Sequence, residues 1–259
     1  MKSIELFAGA GGLGIGLHRA GFHPVQVVER DIYCCDTIRE NQKRTGSVVR
    51  DWTLVLLGKV DHIAGAGVYV IYYCGPFDAY GAIRNSGETQ LLKPIYVGKA
   101  IPKGGRKGGL TSEGAAAKGR ALADRLRQHA NSVDDCINLE LNDFWVRHLV
   151  VDDVWIPLGE NILIETFKPL WNQAVDGFGN KDPGKRRSNQ FKSPWDVLHP
   201  GRSFAEKLGE SPVTVELVIQ RISDHFAGRS LTRLPKLVAA QQAELEVLED
   251  LDEDDVEAG

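Results

Sequence analysis

Long apolar runs are missing from this chain: no stretch approaches the roughly 18 residues a membrane-spanning helix needs, so no span is expected. Cysteine is scarce as well. Cys34, Cys35, Cys74 and Cys136 form no CxxC pair and no regular framework, which argues against a zinc site and for reduced thiols inside a cell. Residues 1–9 are too short an apolar run, and too glycine-rich, for a secretory signal, and a cytoplasmic location is the expectation. Positive charge is absent from one end only. Residues 244–257 hold nine acidic side chains and no basic one, so a whole-chain net charge of −4 conceals +5 in everything before them. Residues 231–251 read as a helix passing into this solvated acidic tail, and residues 213–226 read as amphipathic.

What is present is the composition of a globular protein, with 42% hydrophobic and 25% charged residues in 259. From Lys93 to His129 nine basic residues stand against two acids; a local excess of +7 suits a polyanion and equally suits a solvated helix face. Residues 68–73 are β-branched and aromatic, and residues 95–97 form a shorter run of the same kind closed by Gly98, so both predict strands. Gly75-Pro76 and Asn85-Ser86-Gly87 between them are turn chemistry that lets the two strands run antiparallel, with the phenols of Tyr69 and Tyr96 near one another. After a loop rich in Gly and Lys, Ser112, Glu113 and the alanines 115–117 predict a helix lasting to about Ala130, on which Arg125 and His129, four apart, share a face near Leu122 and Leu126. Residues 144–151 predict a third strand. Glu160 then stands at the first turn of a short apolar helix that ends near Pro169, while residues 52–57 read equally as strand or helix.

Together these pieces resemble one known pattern. Gly67-Val68-Tyr69 and Tyr96-Val97-Gly98 look like the two half-motifs of the GIY-YIG nuclease superfamily, and Arg125-x-x-x-His129 resembles its second element. Glu160, followed by Phe167, Pro169, Trp171 and Asn172, resembles the superfamily's metal-binding Glu and the Asn about a dozen residues beyond it; Glu165 competes, but from mid-helix. Asp176-Gly177-Phe178-Gly179-Asn180 and residues 193–202 look like the tail of the type II restriction endonuclease branch, so the resemblance covers residues 64–208. It implies an α+β fold, a small antiparallel β-sheet flanked by helices, acting on double-stranded DNA by hydrolysis with one Mg²⁺ held by Glu160. In that reading Tyr69 takes the proton of the attacking water, Tyr96 and His129 orient the water or share the transfer, Arg125 neutralises phosphate charge, and Asn172 holds the phosphate or Glu160. The choice between the two phenols stays open. A phenol of pKa about 10 needs the metal, Arg125 or Lys99 nearby to act as a base at neutral pH. Lys99, Lys103, Arg106 and Lys107, with a second basic zone containing Arg186, Arg187 and Arg202, are the expected DNA contacts. Reading a palindrome calls for a homodimer, paired in its role with a cognate DNA methyltransferase.

Residues 1–45 read differently. A short strand, Ile4-Glu5-Leu6-Phe7, runs into Gly9-Ala10-Gly11-Gly12-Leu13-Gly14 and an apolar helix, and a second strand ends at Glu29, placed to reach a ribose hydroxyl; this is a partial βαβ Rossmann-like stub. It resembles the first motif of DNA cytosine-5 methyltransferases, which implies S-adenosylmethionine contacts through Gly9, Gly11, Gly14 and Glu29. The Pro-Cys nucleophile, Glu-Asn-Val and Gln-x-Arg-x-Arg of those enzymes are missing, so methylation is not expected and adenosylmethionine binding is the weaker expectation. The organisation read from sequence is therefore a methyltransferase-like fragment (1–45), a linker (46–63), an endonuclease domain (64–212) and C-terminal helices with an acidic tail (213–259). Two rival functions remain at this level: a non-cleaving regulatory fragment that binds adenosylmethionine and DNA, and a GIY-YIG repair or homing nuclease, which the 195–202 segment disfavours.

Overall fold

Strand-forming residues at the start of the chain pair in parallel: β1 (Lys2–Leu6) lies beside β2 (His23–Val28). The computed structural model describes residues 2–6, 23–28, 37, 53–86, 91–101, 119–151, 155–180 and 191–235. The chain divides into two units, 1–52 and 53–259. Gly9, Gly11, Gly14, Glu29 and the helix expected between the two strands lie outside the described residues.

The second unit is built on an antiparallel sheet of β3 (Thr53–Leu56), β4 (Gly67–Tyr73), β5 (Pro94–Ala100) and β6 (Phe144–Val150), in the order β3-β6-β4-β5. Every residue of β4 is buried, which is why its sequence is a continuous apolar and aromatic run and not an alternating one: both faces are covered. Gly67 sits where β6 comes closest, and a Cβ there would stand 2.0 Å from the Leu149 carbonyl oxygen. The glycine of the first half-motif is thus demanded by the neighbouring strand.

One face of β4 sends Tyr69, Ile71 and Tyr73 into the main core. That core includes Leu122, Leu126 and Val133 of α1 (Ala121–Asp134), Trp171 of α3 (Leu170–Gln173), Trp195 of α4 (Pro194–Leu198) and Val218 and Ile222 of α5 (Val215–Phe226). The other face carries Val68 toward α2 (Ile156–Phe167), where a Cβ on Gly159 would lie 3.4 Å from the Val68 side chain. Helices α1 and α2 therefore cover opposite faces, and β5 is the edge strand. No helix among the described residues is long and apolar enough to cross a membrane.

The structure corrects several sequence expectations. Residues 53–63 are no linker: they supply β3, paired to β6, and bury Leu57, Val60 and Ile63. A four-residue strand is too short for its periodicity to show. The helix carrying Glu160 begins at Ile156 with Pro157 in its first turn, so Glu160 lies in the second turn and not at the start. It stops at Lys168, in the left-handed conformation (φ 44°), just before Pro169. Helix α1 runs one turn past Ala130 to Asp134, and its expected start near Ser112 lies outside the described residues. Residues 213–226, assigned from sequence to a C-terminal segment beyond the endonuclease domain, pack Val213, Val218 and Ile222 into its core.

Candidate active site

Tyr69, from the middle of β4, is fully buried, and its hydroxyl hydrogen-bonds His129 Nε2 at 2.7 Å. The pairing is local geometry made tertiary. Tyr69 stands opposite Gly98 on β5, and its phenol lies across that glycine, where a Cβ would be 2.4 Å from the hydroxyl oxygen. The glycine closing the second half-motif therefore clears the space in which the tyrosine of the first can reach α1. Tyr96, on the same face of β5, brings its ring centroid to 6.3 Å from Tyr69 and 5.2 Å from His129. Phe178 stacks on the imidazole at 4.5 Å and 15°, and Tyr96 stands edge-on to both rings.

Arg125, one turn before His129 on α1, donates to the Gly179 carbonyl (3.3 Å) and to Gln128 Oε1 (3.0 Å). Glu160 reaches Lys99 on β5 at 2.7 Å. Although α2 lies on the face opposite the phenols, the carboxylate arrives at the edge strand, and its negative charge acts on both Tyr69 and Tyr96.

These charges tune the site. Burial raises the Tyr69 phenol well above its ordinary value; the neighbouring Tyr96 adds to this, Arg125 offsets part of it by charge and hydrogen bond, and Glu160 raises it further. Burial also raises Tyr96, with Arg125 pulling down and Glu160 pushing up. His129 is held well below the ordinary imidazole range by burial, then by Arg125 and Arg202. At neutral pH the pair is therefore a neutral phenol against a neutral imidazole, and in the tautomer with the proton on Nδ1 the phenol donates to Nε2.

Two expected roles do not survive. The Asn172 side chain is engaged by the backbone and not by Glu160: its Oδ1 accepts from the Val97 N–H and its Nδ2 donates to the Val97 carbonyl, both at 2.8 Å. The amide completes the hydrogen bonding of an edge strand that would otherwise be open. Arg202 is not a DNA contact. It is 1% exposed, ion-paired with Asp196 at 2.6 Å, and lies over the Trp195 ring at 4.4 Å. Its guanidinium also donates to the carbonyls of Phe178 (3.1 Å) and Gly177 (2.9 Å). Turning it outward would leave a buried carboxylate uncompensated. Lys99 is half-exposed beside Glu160, whereas Lys103, Arg106, Lys107, Arg186 and Arg187 lie outside the described residues.

The structure adds residues that sequence reasoning missed. Phe178 as the stacking partner of His129 was signalled only by the glycine-flanked aromatic in residues 176–180. As for a metal, no group of three His, Cys, Asp or Glu side chains gathers among the described residues, and Glu160, 16% exposed, is the carboxylate at the site. That donor set fits a hydrated divalent cation held through one carboxylate and does not fit a protein cage.

Residues 61–226 match the family model described as the Eco29kI GIY-YIG domain, and residues 1–65 match that of the C-5 cytosine-specific DNA methylase. Among curated relatives, the chain is 42% identical over 82 residues to the type II methyltransferase M.PspPI of Psychrobacter sp., covering 30% of this chain and 18% of that protein. It is 46% identical over 54 residues to the type II methyltransferase M.AquIA of Picosynechococcus sp., covering 21% and 22%. The chain spans about a fifth of the length of these two relatives.

Proposed function

The chain belongs to the Eco29kI GIY-YIG domain family, which makes residues 61–226 a nuclease domain, and on that premise we propose that it is a site-specific type II restriction endonuclease hydrolysing double-stranded DNA with a divalent metal. The observation that carries the reading is the Tyr69–His129 hydrogen bond with Arg125, Tyr96 and the Glu160 charge around it.

Hydrolysis of a phosphodiester needs a deprotonated water in line and a neutralised phosphoryl group. Tyr69 takes the proton of the attacking water as its own passes to His129 Nε2; the water oxygen bonds to phosphorus, the bond to the leaving sugar oxygen breaks, and that oxygen takes a proton from solvent, so the phenol carries no lasting charge in its buried position. Arg125 neutralises the phosphoryl oxygens, and Tyr96 orients the water. Glu160 holds Mg²⁺, which when bound supplies Lewis acidity at the phosphate. Lys99, paired with Glu160 at 2.7 Å, balances its charge at the edge of β5. Asn172 fixes β5, and with it Tyr96 and Lys99. The protein acts as a homodimer on a palindromic site, beside a cognate DNA methyltransferase that protects the host sequence.

Incubation with plasmid and Mg²⁺ tests this. The parent is expected to yield discrete fragments and Glu160→Ala none; an uncut plasmid with the parent, or full cutting by the variant, contradicts the assignment. A smear in place of bands contradicts sequence specificity. The methylase match at residues 1–65 supports a second reading for that segment alone, adenosylmethionine binding, which calorimetry with adenosylmethionine decides.

A further inference from the structure

The segment Asp176 to Asn180 touches two of the groups assigned to the chemistry above. Phe178 stacks on His129, and the Gly179 carbonyl accepts from Arg125. The segment is a tight turn, closed by the Asn180 N–H donating to the Gly177 carbonyl at 3.1 Å. That bond meets one carbonyl from within the turn, and the carbonyls beyond it need donors from elsewhere to hold one shape.

Those donors come from one buried side chain. Arg202 donates through Nη2 to Gly177 (2.9 Å) and through Nη1 to Phe178 (3.1 Å), with Asn180 at the limit of reach (3.5 Å). Its Nε is bound to Asp196 Oδ1 at 2.7 Å. Asp196 is fixed in turn by the first turn of α4, where Ser193 and Asp196 form a reciprocal cap: Ser193 Oγ donates to Asp196 Oδ2 (2.6 Å) while accepting from the Asp196 N–H (3.2 Å). Exchanging a buried ion pair for apolar residues of the same volume is often neutral or stabilising, so stability alone does not account for this one. What the fork accomplishes is to pin successive carbonyls at fixed spacing, which a point-charge lysine cannot do.

We infer that Arg202, locked by Asp196, is a positioning residue for DNA hydrolysis: it clamps the Gly177–Asn180 turn so that Phe178 and the Gly179 carbonyl hold His129 and Arg125 in register with Tyr69. This rests on the nuclease reading of the Tyr69–His129 pair. The positive charge of Arg202, acting after burial and Arg125, also helps keep that imidazole neutral.

Arg202→Lys keeps the charge and removes the fork. Its kcat for plasmid cleavage is expected to fall on the order of tenfold to a hundredfold, as misplaced catalytic groups do, while KM stays within about twofold. Hydrogen exchange read by mass spectrometry should speed up over residues 176–180 and stay unchanged in α1. Phe178→Leu, which removes the stack and leaves the ion pair intact, should reproduce the kcat loss and is the variant to rely on if Arg202→Lys does not fold. Faster exchange with kcat within twofold of the parent overturns the inference, as does a loss confined to KM, which would return Arg202 to a DNA-contacting role. A parent that cuts no DNA removes the nuclease reading instead, while unchanged exchange over 176–180 in Arg202→Lys removes the clamp.

Discussion

Among the described residues two buried tyrosine–histidine pairs stand in contrast, one at the candidate active site and one away from it. Tyr69 meets His129 at 2.7 Å, and Tyr80 meets His199 Nε2 at 2.5 Å. Both phenols are fully buried, and burial pushes both well above the ordinary tyrosine value. The surroundings differ. Tyr80 also accepts from Trp171 Nε1 (2.9 Å), and His199 Nδ1 lies 2.9 Å from the Asn138 side-chain oxygen, so the second pair is a closed network of neutral groups joining α3, α4 and the turn at Asp78–Ile83. Around Tyr69 stand a guanidinium, a second phenol and a carboxylate. A phenol–imidazole bond is thus a structural cross-brace where its hydrogen-bonding partners are satisfied and uncharged, even with the Arg202 charge acting on His199 from beyond them. In the proposed mechanism, charge arranged to respond to the transfer makes the first pair a route for a proton.

The largest effect should come from stripping that charge. Arg125→Met is expected to lower the cleavage rate on the order of a hundredfold or more with little loss of Tm, because it removes transition-state charge stabilisation from a half-buried side chain. Tyr80→Phe should do the reverse. Leaving the Trp171 N–H and His199 without their shared partner is expected to cost about 1–3 kcal/mol, read by chemical denaturation, with kcat per folded molecule unchanged.

Acidification sharpens the comparison further. Burial, then Arg202, lowers the His199 pKa to about 3, and His129 also lies well below 6.5. Each folded-state value is depressed, so both pairs contribute stability fully above the unfolded value near 6.5 and lose it as pH falls toward the folded value, because the unfolded chain takes up protons the folded one refuses. Tm should therefore decline steadily from pH 7 downward. His199→Gln is expected to flatten that decline and leave the acid limb of cleavage in place. The smallest effect belongs to Lys99→Gln. The Lys99–Glu160 pair is partly exposed, so its loss should change stability by less than about 1 kcal/mol, read as a minor shift in Tm.

The two halves of the comparison were not equally legible in the sequence. Gly67-Val68-Tyr69, Tyr96-Val97-Gly98, Arg125 and His129 announced themselves because each sits at a fixed spacing within one strand or one helix. The second pair gave no signal: Tyr80 and His199 are 119 positions apart, and only the packed core brings them together. The same limit explains the misreadings. Asn172 is 75 positions from the Val97 backbone it completes, and nothing in its own neighbourhood records that. Arg202 looked like a free cation because charge in a sequence carries no information about burial; its partner Asp196 stood six residues upstream, within a segment whose aromatic content already spoke for packing. The start of α2 was readable from Pro157, a residue favoured in a first turn, and was missed in favour of the apolar run that follows.

The central claim is that charge around the first pair, and not the phenol–imidazole bond itself, makes a hydrolytic site. Plasmid cleavage by Tyr69→Phe and Tyr80→Phe, measured side by side with Mg²⁺ and corrected for folded fraction, tests it most directly. The account predicts a loss on the order of 10²–10⁴-fold for Tyr69→Phe, as expected for removing a proton-transfer group, and a parent-like rate for Tyr80→Phe. Equal losses in the two variants, or a Tyr69→Phe protein that cuts at the parent rate, would contradict it.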